Sequence, residues 1–313
     1  MQEHTETKTQ TKRKRSSLWH DALRYLFHQR SAILGMIILG GMLFLAIFAP
    51  AIATHDPTLS MLDVPEQVAM GVKRRIPPCI HLLGCPEEQP QHLMGLDSNV
   101  RDLFSRVVYG SRYSLYIGFA SVGFAIVIGS LLGAAAGYLG GWVDNITMRV
   151  LDVLLAFPAL LLAIAIVTVL GPGLVNALLA IGIVSIPAYA RVMRASVLSI
   201  KERDFVTADR ALGVSSPRIL FHRILPNAIT PLIVQGTLGI ATAILDAAAL
   251  SFLGLGAQPP TPEWGTMLGA ERNQVFTAPH LVFFPGAAIM LIVLAFNLMG
   301  DGLRDALDPR LNR

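Results

Sequence analysis

Charge is scarce in this chain. Of its 313 residues only 15% are Asp, Glu, Lys or Arg, and 53% are hydrophobic. A soluble domain carries about 25% charged residues, so this sequence cannot put a polar coat on a large soluble core. Lysine is scarcer still. The five lysines are Lys8, Lys12, Lys14, Lys73 and Lys201, and none follows the Gly-x4-Gly-Lys-Ser/Thr spacing of a phosphate-binding loop. No Gly-x-Gly-x-x-Gly opens a helix after a strand; Gly254-Leu255-Gly256 is only a fragment of that pattern. His-Glu-x-x-His and Gly-x-Ser-x-Gly are missing as well. The chain therefore carries no motif for nucleotide, zinc-hydrolase or serine-hydrolase chemistry and reads as non-catalytic.

What the chain does have is long uncharged runs. Residues 31–54, 113–143, 153–190, 224–245 and 278–300 contain no Asp, Glu, Lys or Arg. A membrane span needs roughly 20 apolar residues. The run 153–190 is too long for one helix and is broken at Gly171-Pro172-Gly173, so it reads as two spans. The run from 224 continues through Asp246 to about residue 255. Continuous apolar runs mean helices, because lipid offers the backbone no hydrogen-bond partners. The expectation is an all-α polytopic membrane protein with six transmembrane helices.

Lysine and arginine set the orientation. With the N-terminus inside, the inner segments hold 18 of the 25 basic residues, and six of the seven outer ones lie in one long loop. Both termini are expected in the cytoplasm, and residues 55–112 outside. The first 30 residues lack a trustworthy cleavage pattern, and 31–54 is long enough to span. The opening 15 residues are polar and basic and read as disordered. Cys79 and Cys85 fall in the outer loop, where a disulfide is chemically permitted; spacing alone leaves the bridge open. His81 and His92 lie nearby without zinc-finger spacing, so no metal is expected.

Ionisable residues inside a membrane mark carriers that use ion gradients, and here the supply is thin. Asp152 lies three residues from Arg149, which suggests an intrahelical ion pair. Asp246 lies deeper in the fifth span, where it should face the bundle or a pathway, as a structural hydrogen-bonding group or as a substrate or gate contact.

The longest interior polar segment after the N-terminal tail, residues 191–227, is patterned. Phe205, Ala208 and Leu212 sit at helical spacing, with Glu202, Arg203 and Asp204 at the start; acids suit the positive end of a helix. Gly213 follows where a left-handed cap is wanted. Ser216-Pro217 reads as an N-cap followed by Pro at the first helical position. Ile219, Leu220 and Ile224 give a second short helix one apolar face, and Pro226 precedes the next span. The segment is expected to fold as helix, glycine turn, helix beneath the membrane. A knob of this kind suits a cleft on another protein, although a lone interfacial helix fits the pattern too.

This segment resembles the ATPase-docking loop of ABC importer permeases, whose pattern is Glu-Ala-Ala, three residues, Gly, nine residues, Ile-x-Leu-Pro. Here the matching residues are Thr207-Ala208-Asp209, Gly213 and Leu225-Pro226. Thr207 and Asp209 replace the first Glu and the last Ala, Arg223 stands where Ile is usual, and His222 is one place early. The resemblance extends along the chain. Residues 19–35, including Arg30-Ser-Ala-Ile-Leu-Gly35, are similar to the N-terminal segment of the second, C-type permease of dipeptide and oligopeptide importers. His92-Leu-Met-Gly-Leu-Asp97, Arg101-Asp-Leu-Phe-Ser-Arg106, Gly137-Tyr-Leu-Gly-Gly-Trp142 and Asp152-Val-Leu-Leu-Ala-Phe157-Pro158 resemble that subfamily too. So do Ser251-Phe-Leu-Gly-Leu-Gly256, Pro259-Pro-Thr-Pro-Glu-Trp264 and Gly300-Asp-Gly-Leu-Arg-Asp305.

The resemblance implies a type I importer fold, with a core of five helices at 113–303 preceded by an N-terminal helix. It implies a homologous second permease, two cytoplasmic ATPases that hold the ATP and Mg, an external substrate-binding protein, and no nucleic acid. It places Asp204, Thr207, Ala208, Asp209, Arg210, Gly213, Pro217, Leu225 and Pro226 in the docking loop, residues 195–226. Asp246 and Trp264 become candidates for the pathway or its gate, Trp264 also for a binding-protein contact or a membrane-interface anchor. The expected cargo is di- or oligopeptides in the inner (plasma) membrane. Glutathione, a nickel chelate or another small solute is the alternative, and a stand-alone carrier or a non-transporting scaffold is more remote.

Overall fold

The computed structural model describes residues 26–86 and 88–307. The expected basic tail, the start of the 19–35 motif and the last residues of the C-terminal tail lie outside the described residues.

Apolar composition dictates helices, and helices account for most of the described chain. They are α1 (Arg30–Ile47), α2 (Ala49–Ile52), α3 (Pro65–Ala69), α4 (Leu103–Leu139), α5 (Gly141–Leu155) and α6 (Ala159–Leu170). There follow α7 (Leu174–Lys201), α8 (Asp204–Ala211), α9 (Ser216–Ile219), α10 (Leu225–Phe252), α11 (Trp264–Glu271) and α12 (His280–Leu307). A π-helical turn, Leu220–Ile224, joins α9 to α10 without a break. Among the described residues, five helices are long and apolar enough to cross a membrane alone: α1, α4, α7, α10 with its α9 extension, and α12. A sixth span exists only if α5 and α6 count as one, and they are bent by 91°.

α6 alone has 12 residues and rises about 18 Å at 1.5 Å per residue, so the sixth expected span is the bent pair α5–α6, broken near residue 157. The physical reason is Phe157-Pro158. Proline lacks the N–H and clashes with the preceding turn, so α5 ends at Leu155 and the chain restarts at Ala159. Gly171 and Gly173, both at positive φ, then turn the chain into α7, as expected. Asn176 Nδ2 donates to the Leu170 and Gly171 carbonyls at 3.0 Å each, closing the end of α6.

The core is the pairing of α4 with α7. Lipid supplies no hydrophobic drive between helices, so close backbone packing must. Gly129, Gly133 and Gly137 repeat every fourth residue of α4 and form one ridge. A Cβ on Gly133 would lie 2.2 Å from the Ala190 carbonyl oxygen, and one on Gly129 would lie 2.8 Å from that of Ile186. α10 and α12 pack on this pair, and α1 lies against α12.

The segment between α1 and α4 is more built than a proline-rich loop suggests. Met61, Val72, Leu96 and Val100 form a small core of their own. Arg106, buried at the start of α4, donates to the carbonyls of Pro57 (2.8 Å) and Pro260 (3.2 Å), tying this segment to the loop before α11.

Candidate coupling and pathway site

The knob lies between α7 and α10. α7 runs on to Lys201, and α8 turns back beside it. Val206 and Ile219 are buried and anchor the knob, while Phe205, Ala208 and Leu212 are exposed, Leu212 by 81%. The face that was periodic in sequence is thus unpartnered within this chain. Asp204, Thr207, Ala208 and Arg210 are exposed on α8 and Pro217 on α9, with Pro226 exposed at the start of α10. Leu225 is partly buried. Gly213 has φ +76°, the left-handed turn its position demands. The N-cap of α9 is Ser215 rather than Ser216, which puts Pro217 one position further into the helix. Proline is still tolerated there, because first-turn N–H groups have no intrahelical partner.

The two largest departures from the docking-loop pattern meet in space. Arg223 Nε donates to Asp209 Oδ2 at 2.8 Å, linking α8 to the π-helical turn. An Ala and an Ile at these positions would make an apolar contact instead. The pair is half-exposed, so its contribution is about 0–1 kcal/mol, but it fixes the angle between the two short helices.

Above the knob, α5 is tied to α7. Arg194 donates to both carboxylate oxygens of Asp144, and Arg191 pairs with Asp152. The expected Arg149–Asp152 pair does not form. α5 lies along the inner end of α7, so Asp152 finds Arg191 across the helix contact while Arg149 is exposed.

Trp264 is only 1% exposed, its Nε1 donates to the Val107 carbonyl at 2.9 Å, and its ring covers Gly110, where a Cβ would lie 2.5 Å away. Packed this way, the ring locks α11 onto α4. Glu263 caps α11 by accepting from Gly265 N and Thr266 N at 2.9 Å each. Asp246 is half-buried on α10 and has no hydrogen-bond or ion-pair partner among the described residues.

Cys79 and Cys85 are joined by a disulfide. Cys79 exchanges backbone hydrogen bonds with His92 at 2.9 and 3.0 Å. His92 Nδ1 lies 2.9 Å from Asp102 Oδ1, and Asp102 Oδ2 accepts from Ser105 N, Ser105 Oγ and Thr54 Oγ1. His55, His92 and Asp102 bring possible ligand atoms within 4.8 Å of one another. Both oxygens of Asp102 are already engaged, however, so the cluster reads as a helix cap rather than a metal centre. Burial pushes the Asp102 carboxyl upward, but its bonds to His92 and Ser105 outweigh this and hold it below the usual carboxylate range. Burial lowers His55, opposed by Asp102 and reinforced by His92. Sequence reasoning missed this cap; the signal available was Asp102-x-x-Ser105, an N-cap spacing just before a long apolar run.

Apolar helices long enough to cross a membrane, with an exposed helix–turn–helix between two of them, mark a polytopic helical membrane protein. The chain belongs to the family described as binding-protein-dependent transport system inner membrane component, which it matches over residues 107–313. Residues 17–78 match the N-terminal transmembrane domain of oligopeptide transport permease C. The chain is 47% identical over 295 residues to the dipeptide transport system permease protein DppC of Alkalihalophilus pseudofirmus, covering 94% of this chain and 91% of that one. It is 48% identical to the di/tripeptide permease DppC of Pseudomonas aeruginosa, covering 91% and 89%. It is 45% identical to the glutathione permease GsiD of Escherichia coli O1:K1, covering 94% and 91%. The fold is also that of a chain in inward-facing structures of the MetNI methionine ABC transporter, with TM-score 0.54 and 19% identity, covering 65% of this chain and 96% of that one.

Proposed function

We propose that this chain forms half of the membrane pathway of an ATP-driven importer of di- and oligopeptides. A homologous permease supplies the other half. Two ATPases, which hold the ATP and Mg, dock on the loop at residues 195–226, with Gly213 setting its turn and the exposed Phe205–Ala208–Leu212 face making the contact. An external binding protein delivers the peptide to the outer side. Both termini lie in the cytoplasm, as the 18 of 25 basic residues on that side support.

The observation that carries the reading is near-full-length identity of 46–48% to three permeases named for dipeptides or di/tripeptides. A second reading, glutathione as cargo, is favoured by relatives at 45% identity. Glutathione is itself a small peptide, so both readings use the same machinery. The test is uptake of radiolabelled dipeptide and of glutathione into liposomes holding the assembled complex, with binding protein outside and ATP inside. ATP-dependent dipeptide accumulation supports the reading. Accumulation of glutathione alone selects the second, and ATP-independent movement rejects both.

A further inference from the structure

We propose that Asp246 is the contact at which the pathway receives the ammonium group of its peptide; this rests on the reading of the chain as a peptide pathway. α10 is buried on one side and open on the other. At 100° per residue, Gln235, Thr242 and Asp246 fall within about 40° of one another on the open side. All three are half-buried or exposed, and Asp246 is the one charged residue of the helix. The open face of α1 contrasts with this stripe: beyond Arg30 at its start, its large exposed residues, Leu34, Ile37, Leu43, Phe44 and Ile47, are all apolar.

A carboxylate at this depth is costly against lipid, and such residues face a bundle interior or a water-filled path. The polar stripe of α10 therefore faces the path, and the apolar face of α1 the lipid. At its inner end the stripe meets a mostly apolar groove of about 480 Å³ between α10 and the end of α12, in which Gln235, Thr230 and Arg304 are the polar members. Gln235 lies 11 residues before Asp246, about 16 Å along the helix at 1.5 Å per residue. A dipeptide spans about 7 Å, so it cannot reach from Asp246 to this groove, and Asp246 acts alone in the outer half.

The ligand chemistry follows from what surrounds the carboxylate. One acid with a hydroxyl one turn away, at Thr242, suits a monovalent alkylammonium, whereas a divalent metal requires several ligands. The ammonium can come from the peptide N-terminus or from a lysine side chain.

Two measurements on the assembled complex in liposomes test this. In the first, Asp246→Cys places a single free thiol in this subunit, because the native cysteines are bonded to each other. A water-soluble thiol reagent should label it during ATP turnover, and dipeptide should slow the labelling. A thiol that reacts only after denaturation overturns the proposal.

In the second, Asp246→Asn is compared with wild type using Ala-Ala, N-acetyl-Ala-Ala and N-acetyl-Ala-Lys, each at a concentration that saturates the binding protein. Uptake of Ala-Ala should fall about tenfold, as expected for loss of one charge-assisted contact, and N-acetyl-Ala-Ala should be unchanged. A fall for N-acetyl-Ala-Lys as well places lysine among the recognised groups; no fall restricts recognition to the N-terminus. Asp246→Glu should restore uptake. Equal loss for all three peptides, or an Asn variant that fails to assemble while Glu assembles, points to a counter-ion on a neighbouring subunit and overturns the proposal. Wild-type liposomes that move none of the peptides reject the peptide reading itself.

Discussion

Gly213→Val tests the docking loop through one backbone angle. Gly213 sits at φ +76° between α8 and α9, and a Cβ placed there would meet nothing within 4 Å. The substitution therefore creates no clash with the rest of the chain. Its cost is the left-handed conformation itself, about 2 kcal/mol for a β-branched residue. If the ATPase binds only the native turn, that cost weakens docking by about 30-fold, since 1.4 kcal/mol is a factor of ten. Asn tolerates the left-handed region and should stay close to wild type, with Ala in between. The assay is retention of ATPase on the affinity-purified permease in mild detergent, together with ATP-driven uptake in liposomes. Retention and uptake should fall in the order Gly, Asn, Ala, Val. Wild-type behaviour of the Val variant would refute the reasoning, because a turn that accepts Val is not setting the docking geometry.

Three further outcomes are expected. Asp102→Ala removes the cap of α4 and the buried partner of His92, and should lower stability by about 1–2 kcal/mol, read as a fall in the melting temperature of the detergent-purified complex. His55 is held below its ordinary value of 6.5, so on acidification the unfolded chain binds the proton first; stability present above pH 6.5 is lost as pH falls from there through the folded-state value. Asp102, depressed below 3.8, keeps its contribution throughout that window, so His55→Asn should remove part of the drop in melting temperature between neutral pH and about pH 5, and an unchanged drop would count against burial of His55. Replacing both Cys79 and Cys85 by Ser opens a loop of sequence separation 6; the chain-entropy relation gives about 2 kcal/mol for so short a loop, and a melting temperature unaffected by the double substitution would show that the bridge adds nothing to the outer segment.

Much of the fold was legible because lipid leaves the sequence few choices. The five long spans stand out as uncharged runs, and Gly171 and Gly213 mark turns that only left-handed backbone can make. The glycine ladder of α4 was equally readable at every fourth position, yet it shows its meaning only when Ala190 is placed against it. The bend between α5 and α6 was not legible, because Pro158 sits inside an uncharged run, and hydropathy does not register a missing N–H. The packing of Trp264 and the partner of Asp152 were not legible for a different reason. Their partners, Val107 and Arg191, are 157 and 39 residues away, and no local pattern announces them. The Asp209–Arg223 pair has the same lesson in smaller compass: two departures from a motif, each odd alone, form one contact 14 residues apart.

The division of labour between this chain and an ATPase is most directly tested by crosslinking at Ala208. It lies on the exposed face of α8, and Ala208→Cys adds one free thiol to a subunit whose native cysteines are bonded. In the complex purified from native membranes, a thiol-directed photo-crosslinker at this position should capture an ATP-binding subunit, and the yield should change between ATP-bound and nucleotide-free states. A chain that purifies alone, captures no ATPase and still moves peptide across liposomes without ATP would contradict it.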